Sequence, residues 1–122
     1  MTKINTVGGA AEELASKYLQ GLGYNILARN LRTKFYEIDI VAQDCQTLVL
    51  IEVKFRSNFY GETRDLLPQK RRSKLLLASK DLMRFWSAAK AARIDLILVE
   101  SGAAESWEIK HLKDVLGADF MI

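Results

Sequence analysis

The chain has 122 residues, 49% of them apolar and 27% charged, with one proline, a balance that fits one compact domain over residues 1–122 and argues against disorder. Eighteen basic and fifteen acidic side chains leave a mild net charge of +3. No apolar run is long enough to span a membrane and the first residues lack the hydrophobic stretch of a signal peptide, which predicts a cytoplasmic protein without membrane contact.

Residues 9–22 carry Ala11, Leu14, Ala15, Tyr18, Leu19 and Leu22 at helical spacing, and Gly21 and Gly23 close that helix. Residues 24–31 read as a strand, and two further strands, 35–42 and 47–55, are rich in Ile, Val, Leu and Phe. The polar link Gln43-Asp44-Cys45-Gln46 makes those two an antiparallel hairpin, so three strands form a meander with the first helix across one face. Residues 56–67 have no clean period and read as a loop holding Arg56, Phe59, Tyr60, Gly61 and Arg64.

Pro68 suits the first turn of a second helix running to about residue 91, with Leu75, Ala78, Leu82, Phe85, Trp86 and Ala89 on its core face. Residues 94–100 and 106–110 read as strands, the first joined by a parallel crossover, and residues 111–117 as a short last helix. The expected class is α/β, a central mixed sheet flanked by helices. The single cysteine, Cys45, is expected at a hairpin tip without a base to activate it. With one histidine beside it, His111, a zinc site of the usual composition cannot be assembled, and His111 is expected at the surface or at a cap.

Chemistry concentrates on the hairpin. Side chains alternate across a strand, so Glu52 and Lys54 share a face with Leu48 and Leu50 and end an otherwise apolar row. If Gln43 pairs with Leu48, Asp39 falls opposite Glu52; a slip of two residues places Glu37 there instead. Two carboxylates at one point repel unless a cation compensates, which makes the chemical case for a metal site, and Mg²⁺ suits one or two carboxylates with water and phosphate completing its shell. A buried ion pair of Lys54 with Glu52 or Asp39, with no chemistry attached, satisfies the same pattern.

Asp39 followed by Glu52-x-Lys54 on the next strand resembles the acidic core of the PD-(D/E)XK nuclease superfamily. Gly8, Glu12, Ala15, the Gly23-Tyr24 turn, Asn30, Glu37-Ile38-Asp39, Glu52-Val53-Lys54 with Arg56, Gly61, Lys70 and Arg93-Ile94-Asp95 together resemble the YraN-like bacterial family, in order from residue 8 to 95. The resemblance implies a restriction-endonuclease-like αβββαβ core and adds Glu12 as a third carboxylate reaching toward the metal-binding edge. It also exposes one departure: Tyr36 stands where the family usually has glycine, which points to a different backbone or pocket mouth.

Arg29, Arg32, Lys34, Arg56, Arg64, Lys70, Arg71, Arg72 and Lys74 all fall in the segment that holds these acids. An acidic metal centre with a basic rim suits a phosphodiester. The leading expectation is therefore a Mg²⁺- or Mn²⁺-dependent endonuclease acting on nucleic acid, with DNA as the expected partner. In it Asp39, Glu52 and Glu12 hold the cation, Lys54 assists the attacking water, and Glu37 supports them. Arg56, Lys70, Arg71, Arg72 and Lys74 bind the backbone. The resemblance extends the substrate to branched DNA, for which a homodimer would match a two-fold junction. A non-catalytic nucleic-acid-binding module is the alternative, and a structural protein with a buried charge network is a third reading.

Overall fold

A computed structural model describes residues 7–56, 67–86, 88–102 and 106–116, with the side chains of residues 7 and 8 left aside. Helix α1, Val7–Gly21, leads into a meander of strands β1, Asn25–Arg32, β2, Glu37–Asp44, and β3, Thr47–Arg56. Helix α2, Gln69–Met83, then crosses to β4, Ala91–Ser101, and β5, Trp107–Leu112, follows at the edge. The sheet order is β1-β2-β3-β4-β5, antiparallel except for the β3/β4 pair that α2 connects.

Why α1 stops is visible in its last turn. Tyr24 N–H donates to the Leu19 carbonyl and Gly23 N–H to that of Gln20, the bonding of a Schellman cap, and Gly23 takes φ +93°, where a side chain is strained. The buried face of the helix, Ala11, Ala15 and Leu19, packs with Ile40, Ala42, Val49, Ile51, Ile97 and Val99. On the other side, Leu75, Ala78 and Leu82 of α2 pack with Ile38, Val41, Leu48, Leu50 and Ile94. β3 is thus covered on both faces, as its apolar sequence requires.

The hairpin register is the one that pairs Gln43 with Leu48. Its turn is tighter than the four-residue link anticipated: Asp44 also pairs with Thr47, and Cys45 bends the chain at φ +57°. Helix α2 ends well before residue 91. Hydrogen bonds from Arg84 to Asp81 and from Phe85 to Leu82 tighten the last turn, and Lys90 N–H then binds the Gln46 carbonyl, so that β4 pairs with β3 from Ala91↔Thr47 onward. The helical stripe read through Phe85 is therefore wrong at its end, where Phe85 is 74% exposed, although Trp86 still packs on the core.

Nor do residues 111–116 form a helix: His111 and Leu112 extend β5, and Val115 N–H binds the Ile94 carbonyl in a turn. Most of the expected loop, residues 57–66, lies outside the described residues. Among the described residues no helix is long and apolar enough to cross a membrane.

Candidate active site

The β2/β3 ladder stops at Ile40↔Ile51, whereas β3 stays paired with β4 as far as Arg56. The strands part at Asp39, and the Asp39 side chain takes over the missing backbone partner: its Oδ2 accepts the Val53 N–H at 2.9 Å. This places the Asp39 carboxylate at the diverging end of the central strand, beside Glu52.

Glu52 is buried, 5% exposed, at the end of the Leu48-Leu50 face. Burial of a carboxylate requires a partner, and α2 supplies one. Arg71 grips Glu52 with both arms, Nε to Oε2 at 3.2 Å and a terminal nitrogen to Oε1 at 2.7 Å, and the same nitrogen reaches the Glu37 carbonyl at 2.7 Å. Lys54 Nζ stands 3.6 Å from Glu52 Oε2 and is partly open to water. Burial works against the charge on Arg71, but the hydrogen bond and attraction from Glu52 outweigh it and raise its pKa, so the guanidinium stays charged.

The Asp39 carboxyl is perturbed by its surroundings. Burial pushes its pKa up from 3.8 to about 6; the Val53 N–H pulls it back, while the negative charges of Glu52 and Glu12 push it further. Glu12 on α1 therefore acts on the same point as the hairpin acids. Among the described residues, however, no three acids, histidines or cysteines converge as a ready metal cage. Asp39, Glu52, Lys54 and the main chain of Glu37 meet. The Glu37 carboxylate turns outward to Arg32 at 3.1 Å.

The basic group divides. Arg72 is spent on structure, its Nε donating to the Leu67 carbonyl at 2.9 Å, and Arg71 faces inward. Lys70 and Lys74 are exposed and, with Pro68 and Arg71, line an open depression of about 350 Å³. Arg56 is exposed at the end of β3.

Tyr36 does not need the backbone freedom of glycine, since its φ is not positive. Thr33 Oγ1 accepts the Phe35 and Tyr36 N–H groups and closes the β1–β2 turn. The Tyr36 ring joins the core, and its hydroxyl donates to Asp81 Oδ2 on α2 at 2.7 Å. Burial, then the Asp81 bond, pushes the phenol pKa up to about 12.

A second polar cluster sits on the α1 side of the sheet. Asp95, wholly buried, accepts from Arg93 at 2.9 and 3.2 Å and from the Asp114 N–H at 2.9 Å, and it lies 2.7 Å from His111 Nε2. His111 Nδ1 is 3.1 Å from the Tyr18 hydroxyl, and Arg93 also binds Tyr24 and Asp44. His111 is thus a buried member of a network and neither a surface nor a cap residue. The readable signal was Arg93-x-Asp95, two charges on one face of a strand too apolar to hold them unpaired.

This arrangement of elements defines a class: an α/β protein with the restriction-endonuclease-like fold. The solved structure of Hjc, a Holliday junction resolvase from the archaeal hyperthermophile Archaeoglobus fulgidus, superposes with a TM-score of 0.53 at 20% identity, over 88% of this chain and 83% of that one. Residues 11–99 match the model of the family described as "Uncharacterised protein family UPF0102", and the chain belongs to that family. It is 39% identical over 111 residues to the UPF0102 protein of Mycolicibacterium vanbaalenii, covering 89% of this chain and 92% of that protein. With the UPF0102 protein of Kosmotoga olearia it shares 43% over 114 residues, 88% and 90% of the two chains.

Proposed function

We propose that this protein is a divalent-cation-dependent nuclease that hydrolyses phosphodiester bonds in DNA. The observation that carries the reading is the meeting of Asp39, Glu52 and Lys54 where β2 parts from β3, on a fold shared with a junction-resolving enzyme. The donor set fits Mg²⁺ or Mn²⁺: two adjacent carboxylates, one held at a raised pKa by burial and by its acidic neighbours, are what a hard cation with several retained waters takes.

Asp39 and Glu52 would hold the ion, with Glu12 able to bind it directly or through one of its waters. When bound, such an ion supplies Lewis-acid stabilisation of the phosphate and a more acidic water. Lys54, charged and partly exposed, orients the attacking water and offsets negative charge that builds on the phosphoryl oxygens. Lys70, Lys74 and Arg56 lie outside the carboxylates and attract the backbone on either side of the reacting phosphate. Branched DNA is the substrate that Hjc's description suggests for this chain, and a four-way junction would call for two copies related by a two-fold axis.

One feature favours a second reading. Both oxygens of Glu52 are engaged by Arg71, which is how a nucleic-acid-binding module that retained the fold without cleaving would neutralise a leftover acid. The deciding experiment is cleavage of labelled duplex, single-stranded, flapped and four-way DNA with Mg²⁺, Mn²⁺ or EDTA, comparing wild type with Asp39→Ala. Metal-dependent cutting by wild type alone is the expected result. Salt-sensitive binding with no cutting would establish the module instead.

A further inference from the structure

We infer that Arg71 is a latch on the metal centre: its guanidinium holds the Glu52 carboxylate when no cation is bound, and a phosphate at the α2 depression draws it away. The inference rests on the nuclease reading above and concerns how that site is switched on.

The geometry sets up a competition between two cations for one acid. Arg71 takes both Glu52 oxygens and also the Glu37 carbonyl, so the guanidinium fills the space beside the acids into which a second positive charge would have to come. Attraction of a divalent ion to Glu52 is opposed by a fixed positive charge about 3 Å away for as long as Arg71 stays.

Arg71 also lines, with Pro68, Lys70 and Lys74, the open depression on α2, whose walls are mostly apolar, so the same side chain borders both the buried acid and the helix face on which the exposed Lys70 and Lys74 stand. Guanidinium groups bind phosphate and carboxylate with the same two-pronged geometry, so a phosphate replaces the two bonds to Glu52, and the bond to the Glu37 carbonyl is what the move gives up. Moving from Glu52 to a phosphate leaves Glu52 buried with, among the described residues, Lys54 as its cationic partner, a state a divalent ion relieves.

Each event therefore frees the group that the other needs. Phosphate releases Glu52 for the cation, and the cation releases Arg71 for phosphate, so the two ligands must bind with positive coupling in both directions. The consequence is a site that fills with metal chiefly when a nucleic-acid backbone is already in place.

The test is Mn²⁺ binding by the full chain at pH 8, read from the electron paramagnetic resonance signal of free Mn²⁺, with sulfate as the phosphate mimic and chloride at matched ionic strength as control. In wild type, sulfate should tighten Mn²⁺ binding by roughly 5- to 150-fold, the usual range of coupling between sites, whereas screening alone weakens it. Arg71→Ala should bind Mn²⁺ more tightly than wild type without sulfate and gain nothing from it. Asp39→Asn should lose this binding and so locate it.

Equal, sulfate-insensitive binding by wild type and Arg71→Ala would overturn the latch and leave the metal centre standing. If neither folded protein binds Mn²⁺ with or without sulfate, the metal centre itself falls. Should Arg71→Ala not fold, Arg71→Gln replaces it, and a wild type indifferent to sulfate overturns the latch on its own.

Discussion

Asp39→Asn should make the protein more stable at pH 8 while removing its capacity to bind a divalent cation. The carboxyl pKa is raised by burial and by the charges of Glu52 and Glu12, from 3.8 to about 6, so the folded chain binds a proton here more tightly than the unfolded chain does. The ionised form is therefore a cost to folding at every pH above the folded pKa. A rise of this size corresponds to about 3 kcal/mol, and because Asp39 is only half-buried, solvent screening reduces the expected gain to ~1–3 kcal/mol. Asparagine keeps the acceptor that Val53 N–H uses and removes the charge.

The sign across pH is fixed by the same shift. As pH falls through 6 the wild-type acid is protonated in the folded state first, its cost is relieved, and the advantage of the asparagine variant shrinks until it disappears near 3.8. Urea unfolding of both proteins in EDTA at pH 8, 6 and 4.5 measures the difference directly. An Asp39→Asn protein less stable than wild type at pH 8, or a gain unchanged between pH 8 and 4.5, would refute the electrostatic account of the site.

Three further outcomes are expected. Lys54→Ala should lower DNA cleavage about a hundredfold or more while its unfolding midpoint in urea moves little, because a partly exposed lysine 3.6 Å from its partner contributes under ~1 kcal/mol to folding; equal loss of stability and cleavage would return Lys54 to a structural role. Asp95→Asn should cost about 3–5 kcal/mol, since it removes the buried charge that Arg93 and His111 share and leaves Arg93 with Asp44, at 3.4 Å, and the Tyr24 hydroxyl. Burial alone would raise the Asp95 pKa, but His111 first, then Arg93 and the Asp114 N–H, together hold it below the ordinary carboxylate value, so its contribution to stability is full near neutrality and is lost only as pH falls through that lowered value. Acid unfolding monitored by circular dichroism should show wild type losing a stability that the variant never had. Tyr36→Phe should cost about 1–2 kcal/mol through the lost bond to Asp81, and spectrophotometric titration of wild type should show one phenol ionising near 12 that the variant lacks.

The hairpin and its register were legible because a two-residue period with a polar link leaves few alternatives: pairing Gln43 with Leu48 brings Asp39 alongside Glu52 by counting alone. The end of α2 was not, because the helical spacing of Leu75, Ala78 and Leu82 continues by coincidence through Phe85 and Ala89, while the pull that ends the helix is the distant pairing of Lys90 and Ala91 with the start of β3. His111 was misplaced for a related reason. One residue's polarity says nothing of burial when its partners, Asp95 and Tyr18, lie 16 and 93 positions away. By spacing Arg71 belongs with Lys70, Arg72 and Lys74 in a basic patch, and only the packing of α2 against the sheet turns it toward Glu52.

The two polar clusters divide the molecule between rigidity and chemistry. Around Asp95 every neighbour is committed: Arg93, His111 and the Asp114 N–H surround it, and they tie β4 to β5 and, through Tyr18, to α1. At the other cluster the ladder has ended, an acid stands in for a strand partner, and a guanidinium holds a carboxylate that has use for a different cation. A difference in hydrogen exchange follows. The Val53 amide depends on a side chain, so Asp39→Ala should speed its exchange while Asp39→Asn preserves it, and the amides of Leu96, Ile97 and Leu98, where β4 is paired on both sides, should stay protected in both. Slow exchange at Val53 in Asp39→Ala would mean that β2 and β3 close their gap without the acid, and the opening at which the site is built would then be a consequence of its charge rather than of the fold.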